Sequence, residues 1–196
     1  MRDVAGSRDI KMPGLWHQAQ AAPFLALVAL ELDQLTKLLV KESLPQGESI
    51  PHDASLAITH VVNPGMVFGV SASATVSLLL PLAMIFASLV IYWRFERSNS
   101  TLLNVGVGLF VGGSLGNLVD RIAYGHVTDF IEVISSGGNV RTVFNAADLC
   151  IILGIVILEV FLIRLIIRLI LKRGHRENYL TPFIKKLILR RGPREK

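Results

Sequence analysis

Two aspartates are the residues of this chain best suited to chemistry. Asp129 lies in Gly125-His126-Val127-Thr128-Asp129-Phe130 and Asp148 in Phe144-Asn145-Ala146-Ala147-Asp148, flanking one loop segment between the last two apolar runs. Ionisable groups at membrane depth are costly and, as a rule, functional. Two facing carboxyl groups can divide the work of acid and base, and so hydrolyse an amide without metal, serine or cysteine. The pair points to an aspartic peptidase working at a membrane.

Each residue also has a simpler reading to weigh. Asn145 could be the N-cap of the last helix, with Asp148 three residues on completing a capping-box exchange and favoured by the helix dipole. Taken alone, Asp148 is as well explained as a cap as by catalysis. Asp129 has no such explanation, because it sits on a β-like run where strand propensity disfavours aspartate. Asp120-Arg121 reads most simply as an ion pair at a helix end. Asp33 and Lys37 are four apart and share a helix face, so the simple reading there is an ion pair with Lys37 snorkelling to the interface.

Other chemistries fit less well. Gly112-Gly113-Ser114-Leu115-Gly116 satisfies the G-x-S-x-G pattern, and His126 could serve Ser114 as base, but that motif needs a strand-turn-helix elbow and here it falls inside an apolar run. His52, His60 and His126 are scattered, and no H-E-x-x-H or paired-cysteine spacing exists, so neither a metal nor another cofactor is expected. Cys150 is the only cysteine, which excludes an intrachain disulfide.

These residues must be held by membrane helices. The 196 residues are 52% hydrophobic with a mean hydropathy of +0.53, and the apolar residues fall in long unbroken runs. Four runs approach the ~20 residues a hydrocarbon core demands: about Pro23 to Val40, Val76 to Trp93, Leu102 to Leu118 and Ala147 to Ile163. The expected fold is an all-α polytopic membrane protein, four transmembrane helices with a small extracytoplasmic β-sheet. With both termini cytoplasmic, that side holds 16 of the 20 Lys and Arg, leaving only Lys37, Lys41, Arg121 and Arg141 outside. Asp129 and Asp148 then face outward. The +5 net charge comes mainly from the C-terminal tail, for which anionic membrane lipid is a simpler partner than nucleic acid.

The expected organisation is a disordered cytoplasmic tail over 1–14, a membrane domain over 15–172 and a basic amphipathic tail over 173–196. The first helix is read as uncleaved, since no small-residue cleavage site follows Leu32. The outer loops span about 41–75 and 122–146. In the first, Ile58-Thr59-His60-Val61-Val62 is β-like, and Gly65 and Gly69 punctuate the stretch after it. In the second, Val127 to Ile134 and Val140 to Phe144 flank a five-residue turn cluster and predict a hairpin, with Val127, Asp129, Ile131 and Val133 on one face. Gly108, Gly112 and Gly116 form a stripe on which a neighbouring helix can pack closely. Glu31 is a further acid in the first helix, and Glu159 lies in the last one without an evident partner.

Five blocks in order resemble the lipoprotein signal peptidase (signal peptidase II) family: Asp33-Gln34-Leu35-Thr36-Lys37, Asn63-Pro64-Gly65-Met66-Val67-Phe68-Gly69, Gly112 through Arg121, Val127-Thr128-Asp129-Phe130, and Phe144-Asn145-Ala146-Ala147-Asp148. Val67 departs from the alanine common before the phenylalanine in that family. The resemblance implies a bacterial inner-membrane aspartic endopeptidase whose catalytic pair falls at Asp129 and Asp148. It puts Asp33, Lys37, Asn63, Gly65, Asn117, Asp120, Arg121 and Asn145 at substrate-binding or supporting positions. It also implies a lipid-modified prolipoprotein as substrate, cut just before the diacylglyceryl-bearing cysteine. The residues themselves leave open which aspartate is protonated. Two rivals stand beside this reading: a proton-coupled transporter or ion channel using Asp33, Glu31, Asp120 and Glu159, and a non-catalytic assembly protein needing only the glycine stripe and the basic tail.

Overall fold

The computed structural model describes residues 21–189 apart from 53, 68–69, 72, 96–99 and 136–139. The expected N-terminal tail, Gly69, the turn at 136–139 and residues 190–196 lie outside the described residues. The chain divides into two units, Met1–Leu158 and Glu159–Lys196.

Four helices follow the apolar runs: α1 (Ala21–Ser43), α2 (Ala74–Phe95), α3 (Thr101–Tyr124) and α4 (Ala146–Leu189). Ser100 caps α3, its hydroxyl accepting from the Leu103 N–H, and Gly125 closes it in the left-handed region at φ 76°. The helix expected to end near Ile163 continues to Leu189. Arg164 and Arg168 are four apart, so they leave the helical periodicity unbroken.

Among the described residues, three helices are long and apolar enough to cross a membrane: Thr75–Phe95, Thr101–Tyr124 and Ala146–Leu171. The fourth expected crossing, α1, is not among them. Its 23 residues include Glu31, Asp33, Lys37, Lys41 and Glu42, which lower its hydropathy.

α1 and α3 pack backbone to backbone along the glycine stripe. A Cβ on Gly112 would meet the Ala26 carbonyl oxygen and the Ala29 Cβ, while one on Gly113 would run into the Ala147 carbonyl of α4. Neighbouring glycines thus admit a different helix on each side of α3.

The β-rich loops form one four-stranded antiparallel sheet in the order β1 (Ser49–Ile50), β2 (Leu56–Asn63), β5 (Val127–Ile134), β6 (Arg141–Phe144). A separate pair, β3 (Met66–Val67) and β4 (Val70–Ser71), follows Gly65. β5 and β6 are the expected hairpin. Burial on β5 departs from simple alternation: Val127, Thr128, Asp129 and Phe130 are all buried, since β2 and β6 flank the strand and α1 and α3 also contact it. A register irregularity between Ile58 and Val61 sets Val61 opposite Asp129 and Asn63 opposite Val127.

Candidate active site

Asp148 is the third residue of α4, and Asn145 caps that helix reciprocally with it. The Asp148 N–H donates to Asn145 Oδ1 at 2.9 Å, and the Asn145 N–H donates to Asp148 Oδ2 at 3.2 Å. The capping reading of Asp148 is therefore correct, and it does not take the carboxylate away from the site. The Asn145 side-chain amide donates to Asp129 Oδ1 at 2.6 Å and to Asn117 Oδ1 at 3.1 Å. Asn117 Nδ2 in turn donates to Asp148 Oδ1 at 2.8 Å. One asparagine thus touches both aspartates, and a second closes the ring.

On the other side of Asp129, Asn63 Nδ2 donates to Oδ2 at 2.9 Å. Which way that carboxamide faces is decided by Gly65, at φ 122°, whose N–H donates to Asn63 Oδ1 at 3.0 Å. A side chain at position 65 would be strained in that conformation. Asp129 is 3% exposed. Burial pushes its carboxyl up to about 6, helped by the nearby Asp148 charge and opposed by the Asn63 and Asn145 hydrogen bonds and by Lys37.

Behind the pair lies a buried ionic cluster from α1 and α3. Lys37 Nζ reaches Asp33 Oδ2 at 2.7 Å, Asp120 Oδ2 at 3.2 Å and Asn117 Oδ1 at 3.0 Å. These are the three partners an ammonium can take. Gln34 Nε2 bridges Asp33 Oδ2, Asp120 Oδ1 and the Gly116 carbonyl. Asp33 Oδ1 accepts the Ala147 N–H at 2.9 Å, and Asp120 Oδ2 accepts the Thr128 N–H at 3.1 Å.

Two simple sequence readings fail here. Lys37 is 1% exposed and does not snorkel, because two carboxylates meet it within the helix pair. Asp120 pairs with Lys37, and not with Arg121 beside it in the chain. Arg121 instead folds back along its own helix, Nη1 donating to the Asn117 carbonyl at 3.2 Å, and its buried Nε has no hydrogen-bond partner among the described residues.

All ten residues singled out from the sequence converge on this region. Sequence reasoning missed Gln34, although it lies inside the Asp33 to Lys37 block. It also missed the backbone donors Thr128 and Ala147, which no side-chain pattern could announce. Glu132, 2% exposed, was missed as well. It accepts from Ser49 Oγ and pairs with Arg141, stitching β1, β5 and β6 together on the strand face opposite Asp129. Ser114 is buried within α3 without any strand-turn-helix elbow. Glu31 is exposed and lines a groove with Gln34, Leu38, Lys41 and Tyr124, the Lys41 ammonium lying 4.0 Å from the Tyr124 ring centre.

Residues 25–164 match the model of a family described as "Signal peptidase (SPase) II". A lipoprotein signal peptidase of Moorella thermoacetica is 34% identical over 139 residues, covering 69% of this chain and 89% of the relative. One from Pelotomaculum thermopropionicum is 36% identical over 128 residues, covering 65% and 81%. A solved bacterial membrane enzyme superposes with a TM-score of 0.62 at 28% identity, covering 72% of this chain and 86% of that one. Matched over most of its length by that family, the chain belongs to the signal peptidase II family and is a peptidase.

Proposed function

We propose that the protein is an aspartic endopeptidase of the bacterial cytoplasmic membrane. It removes the signal peptide from diacylglyceryl-modified prolipoproteins by cleaving before the lipidated cysteine. The observation carrying this reading is that Asn145 hydrogen-bonds both Asp129 and Asp148. Support for the substrate comes from relatives named lipoprotein signal peptidases.

The two aspartates differ in setting, and that difference supports a division of roles. Asp148 stands in the first turn of α4, where its carboxyl accepts the Asn145 N–H and the Asn117 side-chain amide. Asp129 is buried, and burial favours its neutral form. Asp148 takes a proton from a water held between them, and the resulting hydroxide attacks the scissile carbonyl. Asp129 hydrogen-bonds the carbonyl oxygen, stabilises the tetrahedral intermediate and passes its proton to the leaving amine as the C–N bond breaks. The water's proton stays on the pair, which is ready for the next turnover once its positions re-equilibrate. Arg121, with a buried donor unspent, is suited to hold a substrate carbonyl.

In this reading α1 is the fourth membrane crossing. It buries Asp33 and Lys37 inward and turns Phe24, Leu27, Val28, Leu32, Leu35, Leu38 and Leu39 outward. Glu31 is the charged exception before the last turn. With both termini cytoplasmic, as the distribution of Lys and Arg favours, the site lies at the outer interface. Lipid chains of the substrate remain in the bilayer while the peptide bond meets water. The transporter alternative is disfavoured because Asp33, Lys37 and Asp120 pair with one another.

The deciding experiment is cleavage of a lipidated prolipoprotein by the purified protein, with Asp129→Asn and Asp148→Asn as controls. Cleavage by wild type and by neither variant is expected. Normal cleavage by either variant overturns the assignment.

A further inference from the structure

Asp33, Lys37 and Asp120 are each no more than 1% exposed, yet none of the three hydrogen-bonds Asp129 or Asp148. Burying three charges where two helices need only pack is unfavourable, and well-packed apolar residues would hold such a pair at least as firmly. The triad's remaining hydrogen bonds show where that expense is directed. Asp33 accepts the N–H of Ala147, the residue before Asp148. Asp120 accepts the N–H of Thr128, the residue before Asp129.

Lys37 joins these two holds. Its first two protons draw the carboxylates of Asp33 and Asp120 towards one point, and with them the backbone beside each reactive aspartate. Its third proton goes to Asn117 Oδ1. A carboxamide whose oxygen is claimed by an ammonium must present its nitrogen the other way, and that nitrogen is the donor to Asp148. The start of β5, the start of α4 and the Asn117 amide are therefore referred to a single nitrogen atom.

We propose that Lys37 is a positioning residue: acting through Asp33, Asp120 and Asn117, it sets the separation and alignment of the two carboxyl groups that share the catalytic proton. This rests on the aspartic-peptidase reading above. Displacements of about 1 Å at a reacting pair cost on the order of 100-fold in rate. Loosening the brace also changes how strongly the two carboxyls interact, and so the pH range over which they hold one proton. The charged groups around the pair are Asp33 and Lys37 from α1, Asp120 and Arg121 from α3, and Asp129 and Asp148 themselves from β5 and α4.

The test compares wild type, Lys37→Arg, Lys37→Met and the triple variant Asp33→Asn/Lys37→Met/Asp120→Asn, in which no buried charge is left unpaired. Steady-state cleavage of one lipidated substrate peptide is followed across pH, with thermal unfolding in detergent reporting the folded fraction. The triple variant is expected to fold, to lose on the order of 100-fold in kcat with KM changed less than about threefold, and to show a displaced pH profile. Lys37→Arg, which keeps the charge and several donors, should recover part of kcat and the wild-type profile. A folded triple variant with the wild-type pH dependence, whatever its rate, overturns the proposal in favour of helix packing. Failure of both Met variants to fold also overturns it. Absence of cleavage by wild type, or cleavage by Asp129→Asn, would instead sink the aspartic reading beneath it.

Discussion

Asn145 and Asp148 cap one another: the Asp148 N–H donates to Asn145 Oδ1 at 2.9 Å, and the Asn145 N–H returns to Asp148 Oδ2 at 3.2 Å. Asp148 is thereby part of the helix start as well as part of the site, and the two duties can be separated by substitution. Asp148→Asn keeps an oxygen for the Asn145 N–H, so its unfolding temperature should stay close to wild type while cleavage falls on the order of 1,000-fold or more. Asp148→Ala should lose the same activity and, in addition, about 1 kcal/mol of stability through the lost cap. Paired thermal unfolding and cleavage assays read both effects. Equal stability of the two variants would remove the cap from the account.

Asp129 makes the pH dependence specific. Its carboxyl is held at about 6, against 3.8 for an unburied one, so the folded protein keeps a proton that the unfolded chain has already released. Stability should fall as pH rises from about 4 to about 6, by an amount on the order of 3 kcal/mol. Asp129→Asn should flatten that slope in detergent unfolding curves. In the wild type, kcat should decline as pH rises through about 6, as the proton needed by the leaving amine is lost.

The Asn63 amide holds Asp129 in the opposite direction, because its hydrogen bond favours the charged form. Asn63→Ala should therefore move the alkaline limb of the cleavage profile upward while lowering its maximum. A profile displaced downward would contradict the hydrogen-bond assignment. Gly65→Ala should reproduce part of this effect, since the strained turn at φ 122° would release the Asn63 carboxamide.

At the α1–α3 seam, Gly112→Ala places a methyl against the Ala26 carbonyl and the Ala29 Cβ. Neither is the free end of a flexible side chain, so a destabilisation of about 1–3 kcal/mol is expected. Thermal unfolding measures it, with Val119→Ala, a change on an exposed position, as the comparison.

What was legible in the sequence depended on whether a signal was local. The helices, the β5–β6 hairpin and the Asn145 cap each rest on periodicity or spacing within a few residues, and each formed close to where it was expected, although α4 runs on past Ile163 to Leu189. The partner of Asp120 could not be read in this way. Its neighbour Arg121 was the evident choice, but Lys37, 83 positions earlier, meets it because the glycine stripe lets α1 and α3 approach closely. Snorkelling of Lys37 failed as an expectation for the same reason. Helix α1 shows the reverse case: its charges depress its hydropathy, although the structure turns Asp33 and Lys37 away from the exterior.

Gly108 and Gly112 opposite Ala22, Ala26 and Ala29, and Gly116 opposite Asp33, leave the α1–α3 seam with no spare volume. Sequence drift along it should accordingly be coupled: a relative that enlarges a residue on one helix must shrink its counterpart on the other. Volume traded across that seam, position by position, is the pattern this geometry imposes on the family's evolution.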